Sequence, residues 1–170
     1  MIQSVLYLIS IGILSFLAGR LLPKQWFCYR RTPFTPFRWE KEGKVYERIG
    51  IRFWMNRLPD MSKIAKRSMR RKALPAEFGE EDLRYLLDES CMAEVIHVFL
   101  MVAGLGTVLL WTGVGGVVLA CLYALGNLPF VLIQRYNRPR LARLYDRMQA
   151  RQTPAQHRVA YSRAYTENEK

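Results

Sequence analysis

Asn127-Leu-Pro-Phe-Val-Leu-Ile-Gln134-Arg135-Tyr136-Asn137-Arg138-Pro139-Arg140-Leu141 carries an apolar helix out of a membrane and straight into a block of guanidinium, amide and phenol groups. Such a block suits phosphate, carboxylate or sugar at a bilayer surface. Upstream of it, no charged residue occurs from Val95 to Ile133, and the run is interrupted by Trp111-Thr112-Gly113-Val114-Gly115-Gly116. That is the length of two spans joined by a tight glycine turn. At the other end of the chain, Ile2 to Leu22 is apolar apart from small polar residues and Arg20. It is long enough to cross a hydrocarbon core of ~30 Å at ~1.5 Å per residue.

A chain of 170 residues is at most one domain. It is 51% hydrophobic yet carries a formal charge of +12, and the two properties are segregated along it. All 26 Lys and Arg residues fall into two blocks, from Arg20 to Arg84 and from Arg135 to Lys170. The positive-inside rule then puts both blocks in the cytoplasm and the N-terminus outside. A multi-pass protein of the cell membrane with a cytoplasmic C-terminus and three crossings is expected. A cleaved signal peptide is the competing reading of the first span, but the basic start and small-residue cleavage pattern are missing. The three cysteines lack metal-ligand spacing, and with Cys28 and Cys91 on the reducing side a disulfide framework is not expected. Basic residues beside spans point to an anionic leaflet, and no nucleic-acid partner is expected.

The fold class that follows is all-α integral membrane, three transmembrane helices with cytoplasmic interfacial amphipathic helices. One membrane domain would cover 1–151, with spans at about 2–22, 92–110 and 114–133, an interfacial region at 23–91, and a flexible polar tail at 152–170. Pro23 ends the first span, with Trp26, Phe27 and Tyr29 at interfacial depth. Two prolines make Arg30 to Phe37 extended. Between Trp39 and Met55, Val45, Ile49, Arg52 and Phe53 recur at helical spacing, which predicts a helix lying in the membrane plane. The basic run Lys63 to Lys72 reads as an electrostatic anchor. The acids between Pro75 and Asp82 mark a helix start, and that helix runs through Leu83, Leu86 and Leu87 into the second span.

The acid and imidazole nearest an apolar span are Glu94 and His97. A spacing of three puts them on the same side of a helix, within reach of each other or of one ligand. Ionisable residues at that depth are costly, which favours a functional site. The blander alternative is that both lie at the mouth of the span and pair with Arg135 or Arg138. Glu-x-x-His is half of a di-iron signature, but the other spans hold no second copy, so no metal is expected. No Gly-x-Ser-x-Gly elbow is present. Cys91 lies about 120° around the helix from His97, a poor position for a thiol activated by that ring.

What remains is His97 as general base on a hydroxyl, oriented or charge-stabilised by Glu94, without a covalent intermediate. Arg135, Arg138 and Arg140 would bind an anionic donor and stabilise developing charge. Asn127, an amide inside the third span, needs a partner, and Gln134 lies further along. It is either part of the binding site or a hydrogen-bonded link between helices. Gly104, Gly106, Gly115 and Gly116 read as close-packing positions.

Ala93-Glu94-Val-Ile-His97, Asn127-x-Pro129 and Gln134-Arg-Tyr-Asn-Arg-Pro-Arg-Leu141, together with Phe37-x-x-Glu40-Lys-x-Gly43-Lys44, resemble the glycosyl-4,4'-diaponeurosporenoate acyltransferase family of the staphyloxanthin pathway. The resemblance implies a small membrane enzyme that esterifies a sugar hydroxyl of a carotenoid glycoside with a long fatty acyl chain. It carries over Glu40, Gly43, Glu94, His97, Asn127, Gln134, Arg135, Asn137, Arg138 and Arg140 as site residues. The expected function is therefore acyl transfer from an activated donor such as acyl-CoA, with no further cofactor, to a glycolipid-like acceptor in the bilayer. The rivals are a non-catalytic module that binds anionic lipid or recruits a partner enzyme through its arginines, and a lipid acyl hydrolase or transacylase.

Overall fold

The computed structural model describes residues 1–23, 26–58 and 79–167, with side chains to residue 151. The basic run Lys63 to Lys72 lies outside the described residues. The first helix, α1, is Ile2–Leu21. It stops where Leu22 turns extended (ψ 133°), as the ring of the following Pro23 requires.

Helix α2 is one turn, Ile51–Trp54. Helix α3 is Glu80–Gly104, opened by Glu80, Glu81 and Asp82 in its first turn and by the Gly79 N–H donating to Asp82 Oδ2 at 3.3 Å. Those acids complement the dipole, and the helix passes from them into its apolar half without a break, as the sequence predicts. A further turn, α4, is Thr107–Leu110. The chain then reverses through Gly113 (φ 95°) into α5, Val114–Glu167. A Cβ on Gly116 would lie 1.9 Å from the Trp111 carbonyl oxygen, so only glycine lets the two limbs of the reversal close. Helix α5 has 54 residues, about 80 Å at the usual rise, and its backbone stays helical beyond Gln152, where the sequence has lost its apolar period.

Three segments are helical, long and apolar enough to cross a membrane: Ile2–Leu21, Glu80–Leu110 and Val114–Arg151. No strand occurs among the described residues. Helices α3 and α5 form an antiparallel hairpin along a seam with steps of three and four. On α3 the seam is Leu83, Leu87, Ser90, Glu94 and His97; on α5 it is Asn127, Val131, Arg135, Arg138, Ala142, Tyr145 and Gln149. Steps of three and four average close to the helical repeat, so the two faces stay turned to each other along the hairpin. Its layers change chemistry along the hairpin. Gly104 faces the ring of Tyr123, His97 meets Asn127, Glu94 meets Arg135 and Arg138, Leu83 and Leu87 pack on Tyr145, and Glu80 meets Gln149. Helix α1 lies antiparallel on the outer side of α3. Tyr7 donates its hydroxyl to the Ala103 carbonyl at 2.8 Å, and Gly19 leaves room for Ile96.

The stretch Trp39 to Met55 corrects the expectation of a regular amphipathic helix. It is a 3-10 segment, Arg38–Ile49, interrupted by three left-handed residues, Lys41 (φ 47°), Glu42 (φ 56°) and Gly43 (φ 88°), and followed by α2 and a last 3-10 turn, Met55–Arg57. The interruption presses Gly43 against α5, where a Cβ would stand 3.1 Å from the Tyr136 carbonyl oxygen, and it turns Glu40 inward. Tyr46, Ile51 and Tyr136 close over the contact as a small core.

Candidate active site

The loop and the hairpin meet around two buried carboxylates. Glu40, 1% exposed, accepts the Phe37 N–H at 2.6 Å and Arg135 Nη1 at 3.2 Å on Oε2, and the Tyr46 hydroxyl on Oε1. Glu94, 5% exposed, takes Arg135 Nε at 3.0 Å on one oxygen and Arg138 Nη2 at 2.5 Å on the other. Two negative groups thus balance two positive ones, which is what makes burial of all four tolerable. Burial, reinforced by the hydrogen bond to Glu40, raises the Tyr46 phenol well above its ordinary value and keeps it a proton donor.

Each of the other guanidinium nitrogens also has an acceptor within the protein. Arg135 Nη2 donates to the Pro33 carbonyl at 2.9 Å, and its plane lies 4.6 Å from the Phe37 ring centre. Arg138, 2% exposed, donates to the Phe34 carbonyl at 3.0 Å, to Ser90 Oγ at 3.3 Å and to the Ser90 carbonyl at 3.1 Å. Both arginines, expected to grip an anionic donor, therefore face acceptors of the protein itself. They bind the turn at Pro33–Phe34 to the hairpin; the stretch expected to be extended from Arg30 to Phe37 instead folds into turns, with the Phe34 and Thr35 N–H groups donating to the Arg31 carbonyl at 2.9 and 3.2 Å. Arg140 points away from the seam. It lies 3.6 Å over the Tyr136 ring and pairs with Glu47 at 2.6 Å. Glu47 also takes Arg52 at 2.8 Å, and Arg52 reaches the Tyr136 hydroxyl at 2.9 Å. Desolvation works against ionisation of Glu47, but the hydrogen bonds and charges of Arg52 and Arg140 outweigh it and hold the carboxyl below its usual range.

One helical turn from Glu94, His97 is half-buried, with Nδ1 2.9 Å from Asn127 Oδ1. Its ring stacks on Phe130 at 4.6 Å between centres and 9° between planes. Asn127 Nδ2 donates to the Tyr123 carbonyl at 2.9 Å. Gln134 and Asn137 are half-buried and follow Phe130 at steps of four and three, on the flank of α5 that bears the stacked ring. Cys91 is fully buried in the hairpin.

The structure thus sorts the residues singled out from the sequence into two groups. Glu40, Glu94, Arg135 and Arg138 form one ion-pair network, and His97 joins Asn127 beside Phe130, with Gln134 and Asn137 along the same flank. Sequence reasoning missed Tyr46, Ser90 and Phe130. The signal for Ser90 was its place in the three-and-four seam; Tyr46 and Phe130 carried none.

Residues 24–147, which hold both groups, match the family described as glycosyl-4,4'-diaponeurosporenoate acyltransferase. The chain belongs to that family. It is 28% identical over 128 residues to the glycosyl-4,4'-diaponeurosporenoate acyltransferase of Staphylococcus haemolyticus, covering 73% of this chain and 72% of the relative. It is 27% identical over 129 residues to the Staphylococcus aureus (strain MRSA252) protein of the same name, covering 74% and 76%. No solved structure matches the chain. The family region begins after α1, so the hairpin and the loop docked on it are the parts shared with these acyltransferases.

Proposed function

We propose that this acyltransferase moves a fatty acyl group from an activated donor, such as acyl-CoA, to a sugar hydroxyl of a glycosylated lipid held in the membrane. A carotenoid glycoside is the acceptor that the names of its relatives indicate. The observation that carries the reading is His97: a half-buried imidazole within an otherwise uncharged apolar run, stacked on Phe130 one turn from a sealed ion-pair network. A ring there can take the proton of a sugar hydroxyl as its oxygen attacks the thioester carbonyl carbon. Collapse of the tetrahedral species breaks the C–S bond, forms the ester, and returns the proton from the imidazolium to the departing thiolate. No acyl-enzyme is needed.

Glu94 supports this chemistry from one turn away, since its carboxylate, held by Arg135 and Arg138, fixes where α3 meets α5 and so where His97 sits. The side-chain amides of Gln134 and Asn137 suit hydroxyls of the acceptor sugar. The rival reading, capture of anionic lipid or a partner through Arg135 and Arg138, is disfavoured by the protein acceptors those groups already face.

The test is mass spectrometry of lipids from cells that supply the glycosylated acceptor, with and without the protein. A species heavier by one acyl residue is expected, absent with His97→Ala although that variant still reaches the membrane fraction. Free fatty acid in place of an ester would establish hydrolysis instead, and full ester formation by His97→Ala would remove the base assignment.

A further inference from the structure

We infer that Asn127 is a positioning residue that holds His97 in the Nδ1–H tautomer, which leaves the basic lone pair on Nε2. The inference rests on the reading of His97 as the base and names which nitrogen does the work and what sets it.

The argument starts at the Tyr123 carbonyl. A carbonyl oxygen can only accept, so the Asn127 atom 2.9 Å from it is the amide nitrogen. The other amide atom, facing His97 Nδ1 at 2.9 Å, is then the oxygen, which also only accepts. A hydrogen bond between them requires the proton on Nδ1. In the opposite tautomer two lone pairs would face each other at that distance inside an apolar hairpin, where an unmet acceptor is costly. The amide is itself fixed, because Tyr123 lies one turn before Asn127 on the same helix. The parallel stack on Phe130 opposes rotation of the imidazole out of this arrangement.

An amide suits the task better than a carboxylate would. It selects the tautomer without adding a negative charge that would stabilise the imidazolium and hold the proton after transfer. The neighbouring charges, Glu94 on α3 and Arg135 and Arg138 on α5, are paired with one another. A mere link between helices would need the hydrogen bond but no particular tautomer, and that difference is measurable.

The chain has 2 histidines, so the full-length protein with His157→Gln, labelled with ¹⁵N-histidine in lipid bilayers, reports one ring. The expected spectrum has a pyrrole-type Nδ1 and a pyridine-type Nε2. Asn127→Ala should lose that preference and lower kcat on the order of a hundredfold, the scale of general-base catalysis, with KM for donor and acceptor little changed. Asn127→Asp, which keeps the acceptor, should retain the Nδ1–H tautomer and recover part of kcat. A proton on Nε2 in the parent protein, or an unchanged tautomer and kcat in Asn127→Ala, overturns the inference. If Asn127→Ala fails to insert, the parent spectrum decides alone. Activity in His97→Ala would instead overturn the base reading, whatever the spectrum shows.

Discussion

At Glu94, charge and position cannot be separated. Its two oxygens serve two guanidinium groups, each within a packed seam, so replacement by glutamine leaves a net positive charge with nowhere to go. Breaking a buried pair from one side costs about 3–5 kcal/mol, and Glu94→Gln should lower the thermal midpoint in detergent as well as activity. The double variant Glu94→Leu with Arg138→Met leaves Arg135 paired with Glu40 and restores neutrality. It should therefore unfold at a higher temperature than either single variant, a non-additivity that a double-mutant cycle reads directly. Additive losses would mean that the network is not one electrostatic unit. His97 behaves differently, since its loss removes a base but no balancing charge. His97→Ala should lose turnover at a stability cost of about 1–3 kcal/mol, that of the unmet Asn127 oxygen, which is less than the cost of Glu94→Gln.

The loop Arg38–Ile49 is the element on which the site's rigidity depends. Gly43 sits at φ 88° with its Cα turned to the Tyr136 carbonyl, so Gly43→Ala combines a left-handed alanine with a close backbone contact. A loss of about 1–2 kcal/mol in thermal or denaturant unfolding is expected from the conformation alone. Glu47 gives the same loop a pH dependence. Its folded-state pKa is depressed, so its contribution is present above the ordinary carboxyl range and is lost as pH falls through and below that range. The thermal midpoint of the parent should thus fall faster on acidification than that of Glu47→Gln. This loop was also the least legible part of the sequence. Val45, Ile49, Arg52 and Phe53 have helical spacing, but the structure spends three residues, Lys41 to Gly43, on a reversal whose cause is a carbonyl nearly a hundred positions away. Glu40 came into view only through the family resemblance, since its partner Arg135 is remote in sequence and local patterning reports only neighbours. By contrast, the ion pairing of Glu94 with Arg135 and Arg138 was one of two readings open from the sequence, because the acid and the guanidinium block lie at matching distances from the glycine turn.

At the scale of the molecule, hydropathy alone disclosed the three long helices and the reversal at Gly113, because lipid-facing surfaces leave uninterrupted apolar runs. The seam between α3 and α5 was obscured because more than half of its positions are polar, so an apolar-only pattern does not see the three-and-four steps. The antiparallel packing of α1 on α3 and of α3 on α5 sends Met1 and the Trp111–Gly113 turn to one end of the bundle, and the Arg38–Ile49 loop and the Arg135–Arg151 half of α5 to the other. If the basic end is cytoplasmic, the thioester donor reaches the His97 flank from the compartment where such donors are made. In a background lacking Cys28, Cys91 and Cys121, Thr112→Cys should react with a membrane-impermeant maleimide in intact cells, and Ala150→Cys only after permeabilisation; both positions are exposed in the structure. The reverse pattern would put the imidazole near the outer leaflet, cut off from cytoplasmic thioesters, and acyl transfer would then require a donor carried by a lipid of that leaflet.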